Sequence, residues 1–370
     1  MAVGLPMKTT YANGDVYSAS DVNDITGTVN LVGQTNNFYA GKNKIINGNY
    51  YFNQRNFTST TTTGTYMFDR WITAIGGDGT STYTAQTFAP GTAPVSGYES
   101  KSYQRIVTTG QTNASVATIT YQPIEDVRTF AGQTVTYSFW AKASSGTPKI
   151  ALSYDQNFGT GGSADVTAYI SQVTLSTSWA RYSVSFTVPS ISGKTIGSTP
   201  GWLGILLWVS AGSSSNTITN SLGIQTNTFD LWGHQLEAGS TATAFQTASG
   251  TIQGELALCQ RYYFRWTANG VANSPLRHGY AYSSTAVQFI FNPPVTMRAT
   301  ISSTIQYASL WCQDISTGTT YTPTAIGYAG STPNTIFILL TGMAGLTTYR
   351  EYTITDNGST GGYLGLDAEL

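Results

Sequence analysis

The chain has 370 residues, of which 9% are charged and 13% aromatic, with 39 glycines and a formal net charge of −1. That length points to two domains or more, and a balance of 17 Lys+Arg against 18 Asp+Glu without a basic run excludes electrostatic capture of nucleic acid or acidic lipid, which needs clustered cations. No apolar stretch reaches the roughly 18 residues of a membrane span, and the start "MAVGLPMKTTYANGDVYSAS" has neither region of a Sec signal, so no membrane insertion and no Sec export are expected.

In chain order, residues 1–40 differ from the rest. Ser18 or Ser20 caps a short predicted helix whose apolar Val22, Ile25, Val29 and Val32 form a stripe. Such a stripe makes no core by itself, so the segment reads as an attachment and oligomerisation element, with a frayed terminus as the alternative. From residue 41 to 248 the pattern is short strands between Gly, Ser, Thr and Asn turns. In "QTVTYSFWAKA", Val135, Tyr137, Phe139 and Ala141 alternate onto one face, and "KIALSY", "QVTLS", "ARYSVSFTVPS" and "GWLGILLWVS" follow at similar spacing. So many strands without intervening helices predict an all-β sandwich.

A helical linker is expected over 249–266, where Thr251 caps a helix with Ile252, Leu256, Cys259 and Tyr263 on one side and Glu255 in its first turn. Strand signals resume in "AVQFIFNPPV", "NTIFILLTG" and "TYREYTITD", predicting a second, smaller β-sandwich over 267–370. Within it the prolines of "NPPVTMRAT" end a strand or mark an edge, and Arg298 reads as a structural cation.

Few residues are placed for catalysis. Regular alternation in "FDLWGHQLE" puts Asp230, Trp232, His234 and Leu236 on one strand face and Phe229, Leu231, Gly233, Gln235 and Glu237 on the other, which divides Asp, His and Glu. His234 and His278 alone supply little for a zinc site or a Ser-His-Asp triad. Among the carboxylates Asp69, Asp78, Glu99, Glu125, Asp126, Asp155 and Asp165, nothing selects a hydrolytic pair. Cys259 and Cys312 fit neither a zinc motif nor a disulfide scaffold and are expected to be free thiols. Trp71, Tyr83, Tyr98, Tyr103, Trp140, Trp179, Trp202 and Trp208 are expected mainly in the core. Tyr154, Asp155, Gln156 and Asn157, in the turn-flanked "SYDQNFGTGGS", are the candidates for an exposed sugar-contacting patch, because sugar rings stack on aromatic faces while their hydroxyls pair with amides and carboxylates.

Three segments in order, "NKIINGNYYFNQRN", then "FWAKAS", "SWARYSVSFTVPS" and "FDLWGHQLEAGSTATAF", then "GELALCQRYYFRW", "PPVTMRAT" and "LGLDAEL", resemble tail-fibre and related virion structural proteins of tailed bacteriophages that carry a carbohydrate-binding-module-like jelly roll. "YANGDVYSASDVNDI" is similar to the segments that begin such fibres. The resemblance implies a jelly roll over 41–248 and a particle-bound homotrimer, attached to other virion proteins through its N-terminal segment. It further implies host-surface glycans or another receptor as ligand, assembly in the host cytoplasm and release by lysis. It also implies a possible structural calcium where the first "NGN" strand meets the last "FD" strand, with Asn47, Asn49 and Asp230 as the matching positions. No enzyme activity is expected. The alternatives are a head or neck decoration protein and, in a different class, a glycan depolymerase.

Overall fold

The computed structural model describes residues 40–370 except 97, 269–270, 272, 302–304 and 359–360. The expected N-terminal helix with its Val22 to Val32 stripe therefore lies outside the described residues. The first domain contains β1 (Ser59–Thr60), β2 (Ile72–Gly76), β3 (Thr80–Thr87), β4 (Ser102–Thr109), β5 (Ala117–Tyr121), β6 (Pro123–Glu125), β7 (Thr134–Ala143), β8 (Lys149–Asn157), β9 (Val166–Thr174), β10 (Ala180–Thr187) and β11 (Trp202–Ala211). A four-residue helix, α1 (Asn216–Thr219), precedes β12 (Asn227–Ala238). One sheet runs β1-β3-β4-β12-β7-β10 and the other β2-β5-β11-β8-β9, with β6 also on β11. The pairings are antiparallel and most neighbours are not consecutive, which is the jelly-roll arrangement of a sandwich.

The inner faces follow from alternation. Val135, Tyr137, Phe139 and Ala141 of β7 are buried, as expected, against a cluster that includes Ile150 and Leu152 of β8 and Leu203, Ile205 and Leu207 of β11. β12 departs from regular alternation. A bulge lies between Trp232 and Gln235, and Gly233 sits at φ 69°, where a Cβ would come 2.7 Å from the Trp140 ring. The extra residue shifts the pleat, because two residues oppose one across a bulge. Asp230 therefore pairs outward with Arg105 at 2.7 Å, and Trp232 lies outward against Trp140 and Phe245. His234 and Leu236 turn into the core, and Glu237 faces Thr243 and Lys42. The expectation of a single face carrying Asp230, Trp232, His234 and Leu236 is thus corrected by one left-handed glycine.

His234 is fully buried, with Tyr50 Oη 2.9 Å from Nε2 and Tyr137 Oη 2.7 Å from Nδ1. The loop that carries Tyr50 is sewn to the same strand. Asn43 donates to the His234 carbonyl and accepts from Leu236 N, while His234 N donates to the Gly48 carbonyl. A Cβ at Gly48 would overlap the carbonyl oxygen of His234, so the approach requires glycine.

After β12 comes α2 (Ile252–Gln260), capped by Thr251, whose hydroxyl accepts from Gly254 N at 3.0 Å. Glu255 is turned inward and accepts from Asn47 N and Ser249 N, and Cys259 is buried beside it, its thiol pKa pushed well up by burial. The second domain contains β13 (Tyr263–Thr267), β14 (Pro275–Ser283), β15 (Ala286–Phe291), β16 (Ile305–Ala308), β17 (Leu310–Asp314), β18 (Thr320–Tyr321), β19 (Ala325–Ser331), β20 (Ile336–Thr341), β21 (Glu351–Asp356) and β22 (Tyr363–Asp367). A three-stranded sheet β13-β22-β16 packs on a seven-stranded sheet β18-β17-β21-β14-β15-β20-β19 around one core. Tyr263–Thr267 is therefore a strand of this sandwich, although the helical linker was expected to run to residue 266. Among the described residues no helix is long and apolar enough to cross a membrane.

The seam between the domains is ionic and buried. Arg70, 1% exposed, pairs with Glu369 and lies 3.5 Å from the centre of the Tyr262 ring. Arg55 reaches Asp367 at 3.0 Å and Glu369 at 3.4 Å and lies 3.7 Å from the centre of the Tyr263 ring. Arg298 donates to the carbonyls of Ala368 and Glu369, the structural role expected of it. Buried pairs of this kind add little net stability but penalise any arrangement that separates them, so they fix orientation.

Burial without a charged partner holds the His234 pKa down at about 3, against the ordinary 6.5. Between those values the unfolded chain takes up a proton that the folded chain refuses, so the contribution of this histidine to stability falls as pH drops through the window, at about 1.4 kcal/mol per pH unit. Asp69 and Asp155, whose pKa values burial raises to about 6, act in the opposite sense below about pH 6, so the wild-type chain and His234→Gln are compared: from neutral pH to about pH 4 the urea midpoint of His234→Gln should fall less, or rise more, than that of the wild-type chain. Equal slopes in the two proteins would show that this histidine does not govern acid stability.

Candidate functional site

The inner face of the second sheet is core, and its outer face divides into two halves. On β11, residues 202, 204, 206 and 208 point outward, and the ladders place Tyr121 and Ile119 of β5 on one side and Asp155, Ser153 and Ala151 of β8 on the other. In one half Trp208 is 5% exposed, donates its indole N–H to Ser153 Oγ at 2.9 Å, and clusters with Ile119, Ala151, Ala211, Ile218 and Leu222. α1 covers this half, held in place by Gln172 of β9, whose amide donates to the carbonyls of Thr219 and Asn220.

Among the described residues no helix covers the other half. Trp202 and Tyr121 are half-buried, with ring centres 5.9 Å apart and planes inclined by 34°. The Trp202 ring lies over Gly204, where a Cβ would stand 2.8 Å from it, so the glycine lets the indole lie down across the sheet. Asp155, opposite Gly204 in the ladder, accepts from Thr167 Oγ1 at 3.0 Å. Burial pushes the Asp155 pKa up to about 6, with Thr167 opposing the shift and the nearby Asp165 charge adding to it. Asn157 donates to both carboxylate oxygens of Asp165 at 3.2 Å. The result is an aromatic platform beside a carboxylate and an amide–carboxylate pair, on a rigid sheet. Stacking on the rings and hydrogen bonds to Asp155 suit a polyhydroxyl ring with one apolar face.

The four residues expected to form an exposed patch do not act together, because they lie on one strand. Asp155 and Asn157 face the platform, whereas Tyr154 packs on the inner side against Phe186, its ring parallel at 6.2 Å, and Gln156 is 1% exposed and donates to the Pro189 carbonyl. Trp202, expected in the core, and Tyr121, not singled out at all, supply the aromatic surface. Period-two reading of "GWLGILLWVS" pairs Trp202 with Gly204, Leu206 and Trp208, but the opposite set, Leu203, Ile205, Leu207 and Val209, is equally apolar and hides which side faces out.

The proposed calcium ligands do not converge. Asn47 spends its side chain on Phe52 N, Phe52 O and Asp69 O, and Asp230 sits outward between Arg105 and Lys142, where two cations already satisfy it. Among the described residues no group of three or more His, Cys, Asp or Glu could hold a metal ion. A calcium at Asn47, Asn49 and Asp230 therefore does not fit this arrangement.

With this geometry in hand, comparison with known proteins is informative for part of the chain. Residues 49–197 match the family of the carbohydrate binding domain. That span contains Tyr121, Asp155, Asn157 and Thr167 and stops short of Trp202. Among solved structures, the chain is similar to the CBM22-2 xylan-binding domain from Paenibacillus barcinonensis Xyn10C, at 20% identity over 46% of this chain and 92% of that one, with a TM-score of 0.30. It is also similar to the family 11 carbohydrate-binding module from Clostridium thermocellum in complex with a β-1,3-1,4-mixed-linked tetrasaccharide, at 11% identity over 50% of this chain and 98% of that one, TM-score 0.30. No curated protein matches the chain.

The environment of Asp155 is open to direct measurement. A carbon-detected NMR titration should find Asp155 titrating near pH 6. Asp165→Asn should lower that value by removing a like charge, and Thr167→Val should raise it by removing a hydrogen bond to the carboxylate. A titration of Asp155 in the ordinary carboxylate range would contradict this account.

Proposed function

We propose that the jelly-roll domain binds a glycan on the open half of its second sheet, with Trp202 and Tyr121 as the stacking platform and Asp155 as the hydroxyl acceptor. The observation that carries this reading is the Trp202–Tyr121 pair laid flat beside a half-buried carboxylate, in a domain whose residues 49–197 match a carbohydrate binding domain. The role is binding without catalysis. Asp155 has Asp165 as its carboxylate neighbour, and Asp165 is engaged by Asn157 rather than set across an open cleft.

At the level of the whole protein we read the chain as a subunit of a tailed-phage fibre or appendage that attaches to host-surface glycans, acting as a homotrimer on the particle and released by lysis. The order of its sequence segments supports this, and so does a surface poor in charge, which suits a subunit in an assembly. Weak sites repeated on one particle would bind with an avidity far above that of a single site.

Glycan-array binding followed by calorimetry should identify a soluble oligosaccharide ligand, and Trp202→Ala should weaken it by at least about tenfold with the fold intact. Affinity should also fall as pH drops through about 6, because the protonated Asp155 loses its charge-assisted hydrogen bonds, and Asp155→Asn should bind weakly at every pH. Undiminished binding by Trp202→Ala would remove the platform from consideration. For the assembly, sedimentation should give a trimer, and a stable monomer would end that part of the reading.

A further inference from the structure

The second domain leaves one face of its larger sheet bare. Among the described residues no helix follows Gln260, and the three-stranded sheet takes the inner side of the seven-stranded one, whose other side is left to solvent in the single chain. The ladders give the outward rows: Tyr280 lies between Glu351 and Gln288, Gln288 pairs on with Leu339, and Ile290 pairs with Phe337 beside them. The residues that alternate with these, Ala281, Val287, Ile338 and Leu340, are fully buried core. A wet face of an antiparallel sheet ordinarily carries polar side chains. Here Tyr280 stays 43% exposed, Ile290 48% and Tyr282, at the bulge in the β14–β15 pairing, 61%, so these strands are apolar on both sides.

Extent, polarity and charge together select what covers such a face. Strands about 4.8 Å apart with residues about 3.3 Å apart give seven strands of about six residues a face of roughly 600 Å². That is most of the roughly 800 Å² that each partner brings to a stable protein interface. A cavity of about 640 Å³ makes the face concave beside Tyr280, Ile290 and Phe337, with Arg277 and His278 along one wall and a nearly buried Gln288. A sugar chain laid across these strands would meet Ile290, Phe337 and Leu339 where it needs hydrogen-bond partners. Glu351 lies 3.5 Å from His278, so neither sign of charge dominates and nothing repels a second copy of the same face.

We propose that this face is where copies of the chain meet, with the seven-stranded sheets of three copies turned toward a common axis and Tyr280, Ile290 and Phe337 packed in the interior. The inference rests on the homotrimer reading and adds to it the surface that holds the copies together. A copy of the face supplies apolar surface in the amount that the outward rows lack, and a cyclic arrangement closes on itself, so no such face is left over. The platform residues Trp202 and Tyr121 belong to the first domain and take no part.

Sedimentation and hydroxyl-radical footprinting of the purified full chain test this together. The wild-type chain should sediment as a trimer in which Tyr282 is modified several-fold more slowly than Tyr51, the reverse of their order of exposure in the single chain, 61% against 36%. Ile290→Glu, a change at a half-exposed residue whose folding is checked by its melting curve, should raise the trimer dissociation constant about tenfold or more, because a charge enters a buried contact, and should restore fast modification of Tyr282. Ile315→Glu, at a comparably exposed residue in the turn after β17, should do neither. A wild-type monomer would end the homotrimer reading and this inference with it. A trimer in which Tyr282 is modified faster than Tyr51, in which Ile290→Glu leaves Tyr282 protected, or which Ile315→Glu weakens equally, would overturn this face and leave the trimer standing. Protection of Tyr282 that arises only on adding an oligosaccharide would overturn it in favour of a glycan.

Discussion

The close approach of the Gly48 loop to the bulged end of β12 is the constraint from which most of the molecule follows. His234 N reaches the Gly48 carbonyl, Asn43 spans the His234 carbonyl and Leu236 N, and the imidazole is clasped between two tyrosine hydroxyls deep in the core. Trp71 donates its indole N–H to the Asn47 carbonyl and packs 4.5 Å from the His234 ring. These groups are polar and buried, so each has to be satisfied in one arrangement, and a shift of one residue in the loop or the strand would leave several unpaired at once. That is a stronger determinant of register than apolar packing, which tolerates small displacements.

From this knot the structure spreads in two directions. Asn47 N donates to Glu255 and so brings α2 against the jelly roll, and the residues just after the loop, Gln54 and Arg55, reach across to the second domain. Gln54 bridges Asp69 and the Tyr263 carbonyl, and Arg265 donates to the Arg55 carbonyl. Burial pushes the Asp69 pKa up to about 6, although Arg55 and Gln54 oppose the shift. The side chains that cross this seam thus hold the two domains in one relation.

Legibility in the sequence tracked the length scale of the interaction concerned. The two β-sandwiches, the Thr251 cap and the buried face of β7 were readable, since each depends on residues a few positions apart. The end of the helical linker was misplaced by a few residues because Tyr263 and Phe264 fit a helix stripe and a strand equally well until β22 offers them a ladder. At the candidate platform, Asp155 and Asn157 were readable as polar residues in a strand flanked by turns. Trp202 and Tyr121 were not, because an indole on a doubly apolar strand looks like core until it is known which face another element covers.

What the sequence determined alone was therefore the all-β class and its β-sandwich sheets, which follow from composition and short-range periodicity. Tertiary structure decided three further things: that Gly233 breaks the alternation of β12 and sends His234 inward, that α1 covers Trp208 but leaves Trp202 bare, and that Asn49 is buried with an unpaired oxygen. Each depends on contacts between residues far apart in the chain, and the free energy of such contacts is not encoded in any local pattern.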